Sequence, residues 1–446
     1  MMSSDSPDPE WPTSRRKKAL NLKSGSDPVF RVCIYLQDSS CVCVDVLEGL
    51  KTTTAEVLAA ITTQEDIGLP SFASQVFGIW ATSPLLELQL KPQSCPLEVF
   101  RDWQILLKRF SASPESIRLA DEPILELRRS AFLSLKEEEH FSKHSVVNKF
   151  LYLEAERNFI RGRLPCSDPD VCTSLGAISA KIHYGGQDIW TNTNELIRSH
   201  LEHLLPRQLR QASWSWFNFK SAGKNSPEAR LIEKYREIPL TKEDRLVNKY
   251  LELSRFYPFY GSAYFHGQIE EPVSGIRAAF RTGDTKVLIA VSGKGLHVLD
   301  PEKEELLISL SYDSFSWDIV YAKDLSPDCL SSLYIVFPGP DVYGRRTVRI
   351  VQIFTKQVAM IDALLSYWTT LHQDRINRDE SDVGTSESVT DSADALSPLT
   401  KKLMYRTPSE IPVFSKVDRL CLATFDEDGN LIDKRGSWKL RTGVSD

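Results

Sequence analysis

The chain has 446 residues, of which 41% are hydrophobic and 26% are charged, a composition typical of globular proteins. Its formal net charge of −6 argues against nucleic acid as the main partner, because proteins that bind DNA or RNA usually carry a basic excess. The N-terminal stretch lacks the apolar core of a secretory signal, and no apolar run reaches the roughly 18 residues of a membrane-spanning helix. Eight scattered cysteines predict a reducing compartment, so we expect a cytoplasmic protein of two to four domains.

Residues 1–28 are rich in serine, proline and charge, which predicts a disordered extension. Two alternating runs then meet at Asp38-Ser39-Ser40, a hairpin signal, and "TTAEVLAAITTQ" follows with helical spacing. The runs "SQVFGIWAT", "LLELQLKP" and "WQILLKRF" are interpreted as three further strands. Two strands, a helix and three strands in this order predict a ubiquitin-like β-grasp over residues 29–116.

Helical spacing dominates residues 117–258. "HSVVNKFLYLEAERNFIRG" predicts a long helix that Gly162 ends, "DVCTSLGAISAKIHYG" a second and "NELIRSHLEHLLP" a third. Ser226 followed by Pro227 predicts an N-cap with proline at the first helical position, and Thr241 with Asp244 has capping-box spacing. About five helices without strands predict a compact helical bundle.

Pro258 is predicted to end the last of these helices, because proline donates no N–H and disfavours helix in the residue before it. Strand-like segments follow: "KVLIAVSGKGLHVLD", "ELLISLSYDSFSW", "SLYIVFPG" and "RTVRIVQIF". The last segment, "KQVAMIDALLSYWTTLHQ", predicts a C-terminal helix. About seven strands and a terminal helix over residues 259–373 are the plan of a PH/PTB-like β-sandwich. The aromatic stretch "RFYPFYGSAYF" lies at the junction, so its rings are predicted to pack into the two adjoining cores.

Residues 374–446 turn polar and are predicted to be a disordered tail in which "LCLATFDEDG" is a candidate short binding motif. Deleting this tail is therefore expected to leave the melting temperature nearly unchanged. At the other end of the chain, "SRRKK" at residues 14–18 would give at most weak contact with anionic lipid, at about 1 kcal/mol per cation.

The sequence predicts no catalytic, metal or cofactor site. His200 and His203 share a helix face but lack further ligands nearby, and Cys41 and Cys43 share a strand face without a second pair, so these thiols are interpreted as structural. Cys166 and Cys172 are too far apart for a zinc knuckle. "SGKGLH" lacks the spacing of a phosphate-binding loop and favours a tight turn, and no catalytic motif of the common hydrolase or kinase families occurs.

A β-grasp, a helical bundle and a PH-like sandwich, in that order, resemble the FERM domain family. "NKFLYLEAERNFIRGRLPC", "DRLVNKYLELSRFYPFYG" and "VLIAVSGKGLHVLD" are similar to motifs of its second and third lobes, and the resemblance covers residues 29–372. It implies an α+β multidomain fold of three lobes: a ubiquitin-like β-grasp, an acyl-CoA-binding-protein-like helical bundle and a PH/PTB-like β-sandwich with a C-terminal helix. It also implies a non-enzymatic adaptor without a cofactor, acting at the inner face of the plasma membrane.

Four stretches, "SPLLELQLKP", "DEPILELRRSAF", "PFYGSAYFHGQIEEP" and "LSYDSFSWD", resemble a family member that associates with the cytoplasmic tail of iRhom pseudoproteases. That resemblance implies stabilisation of the iRhom complex with the TNF-converting metalloprotease, and a negative role in Wnt signalling through a co-receptor tail and Axin recruitment. An ezrin-like link to the cytoskeleton is the alternative. A linker of this type would require a charged helical rod and an actin-binding segment, and the sequence after residue 373 resembles neither.

In PH/PTB-like folds, a peptide can add as a strand beside the fifth strand, next to the terminal helix. "WDIVYAKD" is interpreted as that strand and "KQVAMIDALLSYWTTLHQ" as that helix. The competing interpretation is that the same helix face covers the core of the sandwich. The predicted peptide-binding residues are Trp317, Ile319, Tyr321, Ile361, Leu364, Leu365 and Trp368.

Overall fold

The computed structural model describes residues 30–46, 51–164, 168–185, 193–212, 226–270, 284–323, 329–340, 345–382 and 420–434. These residues form two compact units. The first comprises the described residues up to Ile105 together with Leu119–Ser130, and the second comprises Leu106–Arg118 and the described residues from Ala131 onward. The predicted N-terminal extension, with its basic run at 14–18, lies outside the described residues.

The first unit contains a five-stranded sheet in the order β2-β1-β5-β3-β4, in which β1 and β5 are parallel and the other neighbours are antiparallel. The predicted hairpin at Ser39 is present, and Ser39 takes a left-handed φ of 67°. Helix α1 buries Val57 and Ile61, and it begins with a capping box between Thr53 and Glu56. The elements of this unit are β1 Phe30–Tyr35, β2 Cys41–Val46, α1 Thr54–Thr62, α2 Ala73–Val76, β3 Phe77–Thr82, β4 Glu87–Gln89, α3 Pro96–Arg101 and β5 Ile124–Arg129. The helices α4 Trp103–Phe110 and α5 Glu115–Leu119 lie mostly in the segment assigned to the second unit.

The strand predicted at "WQILLKRF" is wrong, because these residues form helix α4. Trp103 and Leu107 are buried at helical spacing, whereas Ile105 between them is 68% exposed, and a strand would have placed all three on one face. The fifth strand is instead β5, which lies between β1 and β3 in the sheet. The sheet thus includes a strand beyond residue 116, where the first lobe was predicted to end.

Helices occupy the first part of the second unit. Gly162 ends α7 with a φ of +70°, as predicted, and the Ser226 hydroxyl caps α12 by accepting the Ala229 N–H. The capping box predicted at Thr241 is wrong, since α13 has Lys242 as its N-cap and no side-chain cap. The third predicted helix is divided into α9 and α10 at His200. The elements are α6 Leu135–Phe141, α7 Ser145–Ile160, α8 Pro169–Tyr184, α9 Thr193–Ser199, α10 Leu201–Leu204, α11 Arg207–Ala212, α12 Pro227–Glu237 and α13 Glu243–Arg255.

A close helix crossing organises the bundle core. A Cβ at Gly176 in α8 would lie 2.7 Å from the Leu204 carbonyl oxygen and 2.9 Å from Leu231 Cδ1, so only glycine allows this approach. The apolar side chains around the crossing are almost fully excluded from solvent. They are Ala177, Ala180, Ile197, Leu204, Leu205, Leu231, Ile232 and Tyr235.

The rest of the second unit is a β-sandwich with strands in the order β10-β11-β12-β6-β7-β8-β9. Consecutive strands from β6 to β9 are antiparallel neighbours, as are β10, β11 and β12, and the chain closes the sandwich with the helix α14. The seven strands and the terminal helix agree with the predicted plan. The elements are β6 Ala263–Ile269, β7 Thr285–Ser292, β8 Gly295–Asp300, β9 Glu305–Leu310, β10 Ser316–Val320, β11 Ser331–Pro340, β12 Arg346–Thr355 and α14 Val358–Asp382.

The aromatic stretch between α13 and β6 is packed inward. Phe259 and Phe265 are 1% and 4% exposed, and the Phe259 ring meets the imidazole of His297 in β8 edge-on, with centroids 6.1 Å apart. On the helical side, the Tyr260 hydroxyl donates to the fully buried Glu138 at 2.8 Å, and Tyr264 donates to the Arg163 carbonyl at 3.0 Å. The rings therefore pack against helical and sandwich residues alike, as the sequence predicts.

The "SGKGLH" segment is the predicted tight turn, between Ser292 at the end of β7 and Gly295 at the start of β8. The ammonium group of Lys294 donates to the carbonyls of Arg255 and Tyr257, the latter at 3.3 Å. Arg255 is the last residue of α13 and Tyr257 follows two residues later, so the lysine lies at the helix C-terminus, which attracts cations. The lysine thus caps a helix, and its burial lowers its pKa to about 8.

Two stretches of the predicted tail adopt regular structure. Helix α14 continues to Asp382, and the strands β13 Ala423–Phe425 and β14 Leu431–Lys434 form a hairpin. Strand β13 pairs antiparallel with the first half of β12. The side chains of Leu420, Cys421 and Ala423 are buried, and the polar composition of the surrounding tail gave no sign of this apolar contact. The "LCLATFDEDG" segment therefore folds against the chain's own sheet, and residues 383–419 and 435–446 lie outside the described residues.

Candidate peptide-binding edge

Strand β10 lies at one end of the sandwich sheet. It pairs with β11 on one side, and its other edge has no strand partner within the described part of the chain. Along β10, Ser316, Asp318 and Val320 are exposed, whereas Trp317 and Ile319 are half-buried. Because a bare edge presents unpaired backbone donors and acceptors, it is a template for a further strand.

The edge is joined to the terminal helix by one side-chain hydrogen bond. The indole Nε1 of Trp317 donates to Asp362 Oδ1 on α14 at 2.9 Å. The Phe315 ring lies beside Trp317, with centroids 5.9 Å apart, and Tyr312 lies 5.9 Å from Phe315. These three rings form a row along the loop before β10 and the start of the strand.

The other end of this row of rings also contacts the helix α14. His372 Nε2 lies 2.7 Å from Asp313 Oδ1, and the Tyr312 hydroxyl donates to the Ser292 carbonyl at 2.7 Å. Burial raises the pKa of Tyr312 well above its usual range, so this hydroxyl stays a donor at neutral pH. The loop before β10 is therefore bonded both to the end of β7 and to α14.

The predicted strand residues lie at the edge as expected: Trp317 and Ile319 are on β10, and Tyr321 follows it with 58% of its surface exposed. The predicted helix residues lie elsewhere. All four are at most 5% exposed, and the Trp368 ring lies within 3.0 Å of the Cβ position of Gly293, so this side of α14 covers the sandwich core. The buried helix residues are Ile361, Leu364, Leu365 and Trp368.

Sequence reasoning missed the acidic residues of the edge. Asp318 is exposed, and its Oδ1 accepts the backbone N–H of Ile319 at 2.8 Å, so the donor on this edge is covered by a side chain. Asp362 is half-buried beside Trp317, and Asp313 lies at the end of the aromatic row with 66% of its side chain exposed. Three carboxylates along one edge favour a basic ligand. The alternation of charge and aromatic residues in "YDSFSWD" was the available signal.

The histidines singled out in the sequence have structural contacts. The His200 ring packs on Tyr184 with centroids 4.4 Å apart, and its Nδ1 lies 2.9 Å from the Leu196 carbonyl oxygen. His203 lies 3.5 Å from Glu202 at the surface.

Among the residues that the structure describes, no helix is long and apolar enough to cross a membrane.

Residues 137–265 match the family model "FERM central domain", and residues 285–364 match "KRIT1/FRMD8, FERM domain C-lobe". The chain is 30% identical over 409 residues to human FERM domain-containing protein 8, covering 89% of this chain and 85% of that protein. The Xenopus tropicalis protein of the same name is 32% identical over 363 residues, covering 79% and 78%. This chain belongs to the FERM domain-containing protein 8 family.

Solved structures agree on the fold. The FERM-containing MF2 region of Dictyostelium discoideum myosin VII superimposes with a TM-score of 0.51 at 15% identity, covering 77% of this chain and 60% of that one. Human myosin 7b, solved as its C-terminal MyTH4-FERM domain in complex with the harmonin-a PDZ3 domain, gives 0.50 at 16% identity, covering 76% and 60%. The α+β FERM fold predicted from the sequence is confirmed, and family membership supports an adaptor role.

Proposed function

We propose that this protein is a non-enzymatic FERM adaptor that binds the cytoplasmic tail of a membrane protein along the open edge of β10. The observation that carries the proposal is a strand edge that no other described strand pairs with; it lies beside α14 and is lined by half-buried Trp317 and Ile319. An extended tail would add as an antiparallel or parallel strand, displace the Asp318 side chain from the Ile319 N–H, and place alternate side chains toward the helix.

Charge supports a tail of this kind. Segments that lie close to the cytoplasmic face of a membrane carry an excess of lysine and arginine. Asp313 and Asp318 are exposed at the edge and would pair with such residues. Binding is therefore expected to weaken with increasing salt concentration, because exposed charge pairs are screened.

By resemblance, the tail is the N-terminal cytoplasmic tail of iRhom pseudoproteases. The adaptor would then stabilise the iRhom complex with the TNF-converting metalloprotease at the inner face of the plasma membrane. A negative role in Wnt signalling, through a co-receptor tail and Axin recruitment, follows from the same resemblance. Two or three anchor side chains at about 1.5–3 kcal/mol each, less the cost of ordering the tail, give a Kd on the order of micromolar.

Titration of the full chain with a fluorescent iRhom tail peptide tests the proposal. Ile319→Pro removes the backbone donor at the edge, and Tyr321→Ala removes the most exposed ring beside it, so each is expected to weaken binding at least about tenfold. Tyr367→Ala is the matched control, since Tyr367 is exposed on α14 but packs on Phe132, with ring centroids 4.9 Å apart.

Unchanged binding in both edge variants, with their circular dichroism spectra intact, would overturn the edge as the site. The ezrin-like alternative has its own measurement. Co-sedimentation of the full chain with filamentous actin, together with no binding to the tail peptide, would replace the adaptor proposal by a cytoskeletal link.

A further inference from the structure

Three cysteines share the outward face of the β1–β2 hairpin. Cys33 lies directly opposite Cys43 in the strand register, and Cys41 precedes Cys43 by two residues on the same side. The Sγ atoms of Cys33 and Cys43 are 3.1 Å apart, and all three Sγ atoms lie within 4.8 Å of one another. We refer to Cys33, Cys41 and Cys43 as the thiol triad.

The triad is not required for the core of the unit. The inward face of the same hairpin is filled by Val32, Ile34 and Val44, all less than 9% exposed. On the outward face, Cys41 and Cys43 are exposed and Cys33 is half-buried. The sequence shows no second cysteine pair for Cys41 and Cys43, but the hairpin places one further thiol, that of Cys33, beside them.

The strand pairing brings the sulfurs close. The Leu36 N–H donates to the Ser40 carbonyl at 2.9 Å next to the turn, and hydrogen-bonded and non-hydrogen-bonded pairs alternate from there. Three residue pairs away from the turn, counted from the hydrogen-bonded pair Leu36–Ser40, the pair Cys33–Cys43 falls at a non-hydrogen-bonded position. Opposite side chains approach most closely at such positions. On this face, the Arg31–Asp45 ion pair at 2.7 Å flanks the triad at one end.

We propose that the thiol triad binds one thiophilic d10 cation, Cu(I), through three thiolate ligands. Soft thiolates select Cu(I) and zinc, and zinc in structural sites is almost always four-coordinate. Within the described residues, no fourth histidine, cysteine or carboxylate ligand joins the triad, whereas Cu(I) accepts three ligands. A cation about 2.3 Å from each sulfur would hold the sulfurs about 4.0 Å apart, so Cys33 and Cys43, now 3.1 Å apart, would separate by about 0.9 Å.

The electrostatics of the triad agree with a cation. The ionisable neighbours on this face are Arg31 and Asp45, which neutralise each other, and Tyr35 opposite Cys41. Three adjacent thiolates would repel one another without a cation, so binding proceeds by exchange of thiol protons for the metal.

Competition between the reduced full chain and the chromophoric Cu(I) chelator bathocuproine disulfonate tests the proposal. We expect one Cu(I) bound per chain, and X-ray absorption showing three sulfur neighbours. Cys33→Ser, Cys41→Ser and Cys43→Ser should each lower the affinity at least tenfold. Cys329→Ser is the matched control, since Cys329 is a free, half-buried thiol of the second unit and its loss should change nothing.

Three results would overturn the assignment. They are the absence of Cu(I) binding by the wild-type chain, equal affinity in a variant that lacks all three thiols, and equal losses in the Cys329→Ser control. Peptide mass spectrometry distinguishes a metal site from a disulfide-forming pair. A Cys33–Cys43 disulfide that forms in air, in a chain that takes up no Cu(I) when reduced, would make the triad a redox pair instead of a metal site.

Discussion

The indole N–H of Trp317 donates to the carboxylate of Asp362 across the gap between the edge strand and the terminal helix, at 2.9 Å. The two residues are 45 positions apart in the chain, and their contact joins the edge strand β10 to α14. Trp317→Phe removes the donor and keeps most of the ring, and Asp362→Ala removes the acceptor. A double-mutant cycle in denaturant is expected to give a coupling of about 1.5–3 kcal/mol, the range of a hydrogen bond to a charged group. Additive losses would show that the bond does not stabilise the contact between β10 and α14.

Glu138 is fully buried and accepts hydrogen bonds from both Arg255 and Tyr260, each at 2.8 Å. Removing one member of a buried ion pair leaves the other charge without compensation, so Glu138→Gln is expected to destabilise the second unit by about 3 kcal/mol. Thermal unfolding followed by circular dichroism provides the measurement. Glu139→Gln, at the exposed neighbouring position, is the control and should leave the melting temperature unchanged.

Acid should destabilise the second unit through His297. Burial, together with the nearby Lys294, lowers the pKa of this imidazole from 6.5 to about 3. Between these values the unfolded chain binds a proton that the folded chain does not, so stability is complete above pH 6.5 and falls as the pH drops toward 3. At about pH 5 the loss is roughly 2 kcal/mol relative to neutral pH.

The comparison between the wild-type chain and His297→Gln isolates that effect, because other acid-sensitive groups are common to both. The variant is expected to lose less stability on going from neutral pH to about pH 5, as measured by urea unfolding. His203→Gln, at an exposed position, should behave like the wild type. Parallel pH profiles for the wild type and His297→Gln would contradict the assignment.

The tail hairpin should protect the first half of β12. Ala423 is 2% exposed and pairs with Ile350, so Ala423→Asp is expected to detach the hairpin and accelerate amide exchange at residues 348–350. Ile432→Asp is the control, because Ile432 is 47% exposed on β14. Deletion of residues 374–446 is now expected to lower the melting temperature, contrary to the sequence prediction, since it removes this hairpin and the end of α14.

Local signals in the sequence were sufficient for much of the fold. The hairpin at Ser39, the end of α7 at Gly162 and the cap at Ser226 each depend on a few adjacent residues, and all were predicted correctly. The run "WQILLKRF" was not, because a short apolar run fits helix and strand equally well until its burial is known. Strand β5 pairs with β1, about 90 residues earlier in the chain, and no local pattern specifies that partner.

The candidate sites depend on contacts between distant positions. The analogy with PH/PTB-like folds, in which a peptide adds beside the fifth strand, placed Trp317 and Ile319 correctly at the edge of the sheet. The apolar stripe of α14, however, does not show from sequence alone that Leu365 and Trp368 face the core. Aspartate substitutions at Leu364 and Trp368 would therefore unfold the sandwich and say nothing about binding. Likewise, the thiol triad needed the strand register, because Cys33 is separated from Cys43 by the turn.

Strand β12 acquires its neighbours at different times during synthesis. Its second half pairs with β6, which the ribosome has already made, whereas residues 348–350 await a strand that begins at Ala423, more than 70 residues later. Until that segment emerges, no other described strand pairs with this edge of residues 348–350, and an exposed backbone edge of this kind favours association between chains. Slow translation beyond residue 355 would prolong this exposure, and a chaperone that recognises extended backbone would find its substrate there.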